Sequence, residues 1–141
     1  MLNASSELVI RTALDYASGT ADRNGEVFDT AGLEGVLIIV KLATVAAGGV
    51  NSIKAQQGAA ANMSDAADLA GTAIAIADDD DNQIFILDIV KPRERYVRVV
   101  VDKDTTNACA ESAIYVGYGP RVMPVIQTLA DEVTYEKHVS P

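Results

Sequence analysis

The sequence predicts a mainly β chain: a jelly-roll-like antiparallel β-sandwich of about eight strands with extended terminal arms. Three observations lead there. Apolar runs of five to eight residues recur along the 141 residues, separated by clusters of Gly, Asn and Asp, which is the spacing of a sandwich or barrel. Within several runs the apolar residues alternate with period 2, as a half-buried strand requires. Alanine, a strong helix former, sits here in loops and alternating stretches, in runs such as AAGG and GAAAN.

Taken in order, strands are expected at 8–12, 27–30, 36–42, 52–57, 72–77, 83–90, 96–102 and 112–118. The alternation is clearest in three of them. Val36, Ile38, Val40 and Leu42 share one face of the third, with Leu37, Ile39 and Lys41 on the other. Phe85, Leu87 and Ile89 oppose Ile84, Ile86 and Asp88 in the sixth. Val97, Val99 and Val101 oppose Tyr96, Arg98, Val100 and Asp102 in the seventh. One face of each strand belongs to a core. The second face is also fairly apolar in the first two, so that surface is expected to meet its own loops or another chain.

The connections follow from turn chemistry. Residues 13–26 are polar and glycine-bearing and read as a loop. Residues 58–71 read as a long link with a short helical turn from Ser64, whose side chain would cap it. Asp78–Asn82 reads as a turn, and Pro92 ends the strand before it because proline cannot donate to a ladder. After Tyr118 two early prolines and an acidic end break the pattern. The expected organisation is an N-terminal arm at 1–7, a sandwich domain at 8–118 and a C-terminal arm at 119–141.

Composition narrows the function classes. The formal charge is −9, from 20 acidic and 11 basic residues. Such a body repels nucleic acid, so no nucleic-acid partner is expected. The start lacks the basic and long apolar regions of a signal peptide. The most apolar stretch, at 35–50, is interrupted by Lys41 and too short for a membrane span. No membrane partner is expected, and synthesis in a cytoplasm is. One basic spot stands out: Lys91, Arg93, Arg95, Arg98 and Lys103 against Glu94 and Asp102. A basic spot on an acidic body suits docking to an acidic partner or to another copy. Arg93, Arg95, Arg98 and Arg121 are the candidate partner contacts, with intramolecular pairing to turn aspartates as the structural alternative.

Site chemistry points away from catalysis. The single histidine, His138, lies three residues from the end, so a nucleophile–histidine site would have to be built on a tail. Acidic pairs for glycoside hydrolysis lack aromatic surface to hold a sugar. AAGGV and GYGP match no phosphate-loop pattern and read as turns. The run Asp78–Asp81 lacks the glycine and glutamate of a calcium loop and reads as a solvated hairpin turn. The single Cys109 makes no internal disulfide, and one Cys with one His makes no usual zinc site. It reads as a small buried residue on a strand. No catalytic residue, metal or cofactor is expected.

The order of motifs resembles a known family. An apolar strand, GVLIIVKL, precedes a polar strand, SIKAQQG, then the link DAADLAGTA, an Asp-rich turn, IFILDIV, KPRERYVRVVV and AIYVGYGPRVMP. This resembles the jelly-roll cement, or decoration, proteins of tailed bacteriophages whose major capsid protein is HK97-like. RYVRVVV is the most specific motif, and the likeness covers roughly 30–125. The resemblance implies a structural protein on the outer surface of the virion, with the major capsid protein as partner. It also implies stabilisation of the capsid by non-covalent clamping of neighbouring subunits, and self-association as a homodimer. Two other readings of a β-sandwich stay open: a carbohydrate- or receptor-binding module, and another virion part such as a tail or head–tail connector protein.

Overall fold

The computed structural model describes residues 3–46, 51–103, 108–127 and 132–139. Its strands are β1 (Leu8–Gly19), β2 (Arg23–Asn24), β3 (Phe28–Asp29), β4 (Gly35–Val45), β5 (Asn51–Gly58), β6 (Ala67–Asp68), β7 (Ile74–Ile76), β8 (Ile84–Val90), β9 (Tyr96–Asp102) and β10 (Cys109–Tyr118). They form two antiparallel sheets. One runs β1-β10-β4-β8; the other runs β2-β9-β5-β6, with β3 also on β9 and β7 also on β5. The pairing is nested. The first strand meets the last, β2 and β3 meet β9, β4 meets β8, and β5 meets β6 and β7. A long antiparallel hairpin folded over into two layers gives this order.

The alternation does what period 2 demands. Val36, Ile38, Val40 and Leu42 are fully buried, as are Val97, Val99 and Val101 on the opposite sheet, and all join one core with Leu87, Ile89, Ile53 and Tyr115. Cys109 is buried in the same core. The two layers interlock through Tyr115. Its ring lies against Phe28 with centroids 5.2 Å apart. Its hydroxyl accepts from Val99 N–H at 2.9 Å and donates to the Glu26 carbonyl at 2.6 Å. Burial pushes its phenol well above the ordinary value.

Three expectations need correction. The segment 13–26 is not a loop: β1 continues to Gly19, and β10 starts at Cys109 to pair with it. Register shifts between Thr12 and Leu14 and between Leu14 and Ala17 break the alternation that would have revealed the strand. The strand expected at 27–30 is present but shorter, as β3, and a second short strand, β2, precedes it inside the expected loop. Between them the Tyr115 hydroxyl takes the Val99 N–H, and Gly25 packs so closely that an added Cβ would lie 2.6 Å from a Val99 methyl and 2.8 Å from that hydroxyl. The link at 58–71 holds turns and β6, not a helical turn. Asp65 accepts from the amides of Ala59 and Ala60, and Ser64 N–H donates to the Asn62 side chain instead of Ser64 capping a helix.

The turn at Asp78–Asn82 is present and joins β7 to β8. Asp80 accepts from Ala77 N–H and Asp81 from Val45 N–H, while Asn82 takes a left-handed φ of 61°. The arm segments at 1–2, 128–131 and 140–141, and most of the AAGGV turn (47–50), lie outside the described residues. The rest of the C-terminal segment lies back on the domain. Val125 N–H donates to the Ser6 carbonyl at 2.8 Å. The buried Gln127 amide donates to the Leu8 and Ser5 carbonyls and accepts from Ile10 N–H at 3.1 Å. Glu132 accepts from Thr12 N–H at 3.0 Å. These groups stand where a neighbouring strand's peptides would be, so they cover the open edge of β1.

Candidate functional site: an arginine cleft at the end of the sandwich

The site is built where β8 turns into β9. Pro92 stops β8, and Lys91 takes a left-handed φ of 49° to make the corner. Lys91 N–H is held by the Glu34 carbonyl. Facing this corner is the turn before β4. Thr30 binds the Arg95 carbonyl through both its N–H and its hydroxyl, at 2.9 and 2.6 Å. The last wall comes from the residues after β10. Gly119, with φ 62°, brings the chain so close to Glu34 that a Cβ there would lie 2.5 Å from the glutamate Cβ. Arg121 N–H then donates to the Gly32 carbonyl at 2.9 Å.

The result is an open cleft of about 530 Å³ between residues 30–34 and 91–95, with Arg93, Arg95 and Arg121 on its walls. Lys91, Pro92 and Arg93 form the ridge between it and a second hollow that reaches Asp68 and Thr72. Three of the four candidate arginines, scattered over 29 positions of sequence, therefore share one concave surface.

Their states differ. Arg95 is spent on Asp29 in a bidentate pair at 2.8 and 2.9 Å, and its guanidinium also lies 5.2 Å from the Tyr96 ring centroid. That guanidinium holds the Asp29 carboxyl below its ordinary range. Lys91 is loosely paired with Glu34 at 3.4 Å. Arg93 and Arg121 are exposed, and no described residue pairs with either side chain. Arg98 is elsewhere. It lies on the outer face of the β9 sheet, where it binds the Gln56 side chain at 2.7 and 2.9 Å, and it does not line the cleft.

A second charged group takes Lys103, read above as part of the basic spot, into the interior. Glu111, fully buried, takes Arg23 on one carboxylate oxygen and the ammonium of Lys103 on the other, both at 2.8 Å. Lys103 also donates to the Cys109 and Gly19 carbonyls, and Arg23 to the Asp15 carbonyl. The signal available was a glutamate inside the apolar run CAESAIYVGY.

Two arrangements invite a chemical reading. Ser5, His138 and Glu136 meet at the surface, but both contacts, 2.9 and 3.0 Å, fall on the same ring nitrogen of His138. One nitrogen cannot take the serine proton while also being oriented by the carboxylate, so this is not a relay. Among the described residues no three His, Cys, Asp or Glu side chains converge as metal ligands. The chemistry the cleft can perform is recognition: forked guanidinium donors on a concave surface suit carboxylates. The chain matches no protein-family model and is not significantly similar to any curated protein.

Proposed function

We propose that this chain is a structural protein of a tailed-bacteriophage head. It binds the exterior of the capsid and clamps neighbouring major capsid subunits without covalent bonds. The observation that carries docking is the cleft. Arg93 and Arg121 present two guanidiniums without partners among the described residues, on an otherwise acidic body. The capsid is named by the sequence resemblance carried by RYVRVVV and GYGPRVMP. The nested pairing of eight successive segments supports the jelly-roll reading. Many copies on a lattice would turn modest contacts into strong retention.

The test is co-sedimentation of the purified chain with expanded capsid shells stripped of their exterior proteins, over a salt series. Saturable binding at a fixed ratio to capsid subunits, weakening as salt screens the arginines, is the expected result. No binding at low salt overturns the proposal, and a glycan screen would then test the carbohydrate-binding reading.

A further inference from the structure

The outer face of the β1-β10-β4-β8 sheet is apolar where water should be. At its centre Ile86, Ile39 and Ile114 stand abreast on β8, β4 and β10. Ile86 is 57% and Ile114 43% exposed. Two residues along the strands, Ile84, Lys41 and Ser112 form the next row. Two residues the other way, the row is Asp88, Leu37 and Val116. The face thus has an isoleucine centre, a cation at one end and an anion at the other.

We propose that this face is the contact of a two-fold dimer of the chain with itself. Two identical faces can meet about a two-fold axis lying in the plane between them. If that axis ran along the strands, each row would face its own copy, and neither charge would find its opposite. If it runs across the strands, row order reverses while strand order is kept. Ile39 then faces Ile39, and the Lys41 row of each copy faces the Asp88 row of the other. Lys41 and Asp88 lie on adjacent strands, about 4.8 Å apart laterally. A lysine stem spans that offset, so two Lys41–Asp88 pairs flank the isoleucine centre. A hollow between Ile39, Lys41, Ser112 and Ile114 gives incoming side chains room. Among the described residues, Asp88 accepts only from the Tyr118 hydroxyl, at 2.7 Å, and Lys41 donates only to the Asn82 carbonyl. Both keep capacity for a partner. Charge complementarity of this kind selects a second copy over an unrelated apolar partner. The inference does not rest on the capsid reading, because it concerns the purified chain alone.

The experiment is sedimentation equilibrium on the wild type, Lys41→Asp, Asp88→Lys, the double swap Lys41→Asp/Asp88→Lys, and Ile86→Glu. Thermal melting of each confirms folding. The wild type should be a dimer. Each single reversal should weaken it by about tenfold or more, since two like-charge contacts replace two ion pairs. The double swap should restore it. Ile86→Glu, on an exposed position, should give folded monomer. A monomeric or trimeric wild type, or single reversals that leave the dimer intact, would overturn the proposal. So would a folded double swap no tighter than the singles.

Discussion

Two groups of charges divide this molecule. Lys103 and Glu111 lie inside with Arg23 part-buried beside them, ion-paired at 2.8 Å, and both cations also donate to backbone carbonyls. Arg93, Arg95 and Arg121 lie outside in an open cleft, and only Arg95 is strongly paired. The residue types are nearly the same; burial decides their meaning. Inside, an unpaired charge would cost several kcal/mol, so the network must be complete for the chain to fold. Outside, water keeps an unpaired guanidinium at little cost, so it remains available to a partner. The inner group serves the fold, and the outer group is free to serve recognition.

The largest expected effect comes from breaking the inner group. Glu111→Gln keeps the shape and removes the charge, which leaves the Lys103 ammonium buried without its counter-ion. The loss should be about 3–5 kcal/mol. Thermal unfolding should show a melting temperature at least about 10 °C lower. An unchanged melting temperature would mean that Lys103 and Arg23 reach water in solution.

The C-terminal segment comes next. Gln127→Ala removes the amide that occupies the β1 edge and should cost about 1–3 kcal/mol. Amide exchange at Ile10 should speed up more than exchange at Val99, which lies in the core. Equal acceleration at both sites would show that the contact is not local.

The inner region also carries an alkaline pH signature. Burial, and then the charge of Glu111, push the Cys109 thiol up; burial pushes the Tyr115 phenol up. Both groups keep their protons in the folded chain after the unfolded chain has lost them. The folded state therefore binds more protons, and stability falls as pH rises. The fall should begin near the ordinary thiol value of about 8.5 and steepen above about 10. Cys109→Ala should remove the first part only, which melting curves across that range would show.

The smallest effect belongs to the outer group. Arg95→Ala breaks an exposed, screened pair and should leave the melting curve where it is. A large drop would move Arg95 from the recognition group to the fold.

What was legible in the sequence follows the range of the physics. The alternation in β4, β8 and β9 is local, so their buried faces could be read directly. The full length of β1 could not, because its register shifts put Ala13 and Leu14 both inside. The break between β2 and β3 depends on a hydroxyl from Tyr115, about ninety residues away. The arginines of the cleft were legible because Arg93 and Arg95 adjoin and Arg121 follows a glycine–proline turn. The place of Arg98 was not, since its partner Gln56 sits across the sheet. The inner network was invisible because Arg23 and Glu111 are 88 positions apart and meet only when β1, β2 and β10 assemble.

The comparison stands or falls on one variant, Arg93→Glu/Arg121→Glu, measured for both melting and occupancy of stripped, expanded capsid shells. Melting should stay at the wild-type value, and saturable shell binding should be lost. Wild-type occupancy by a normally melting variant would contradict that expectation.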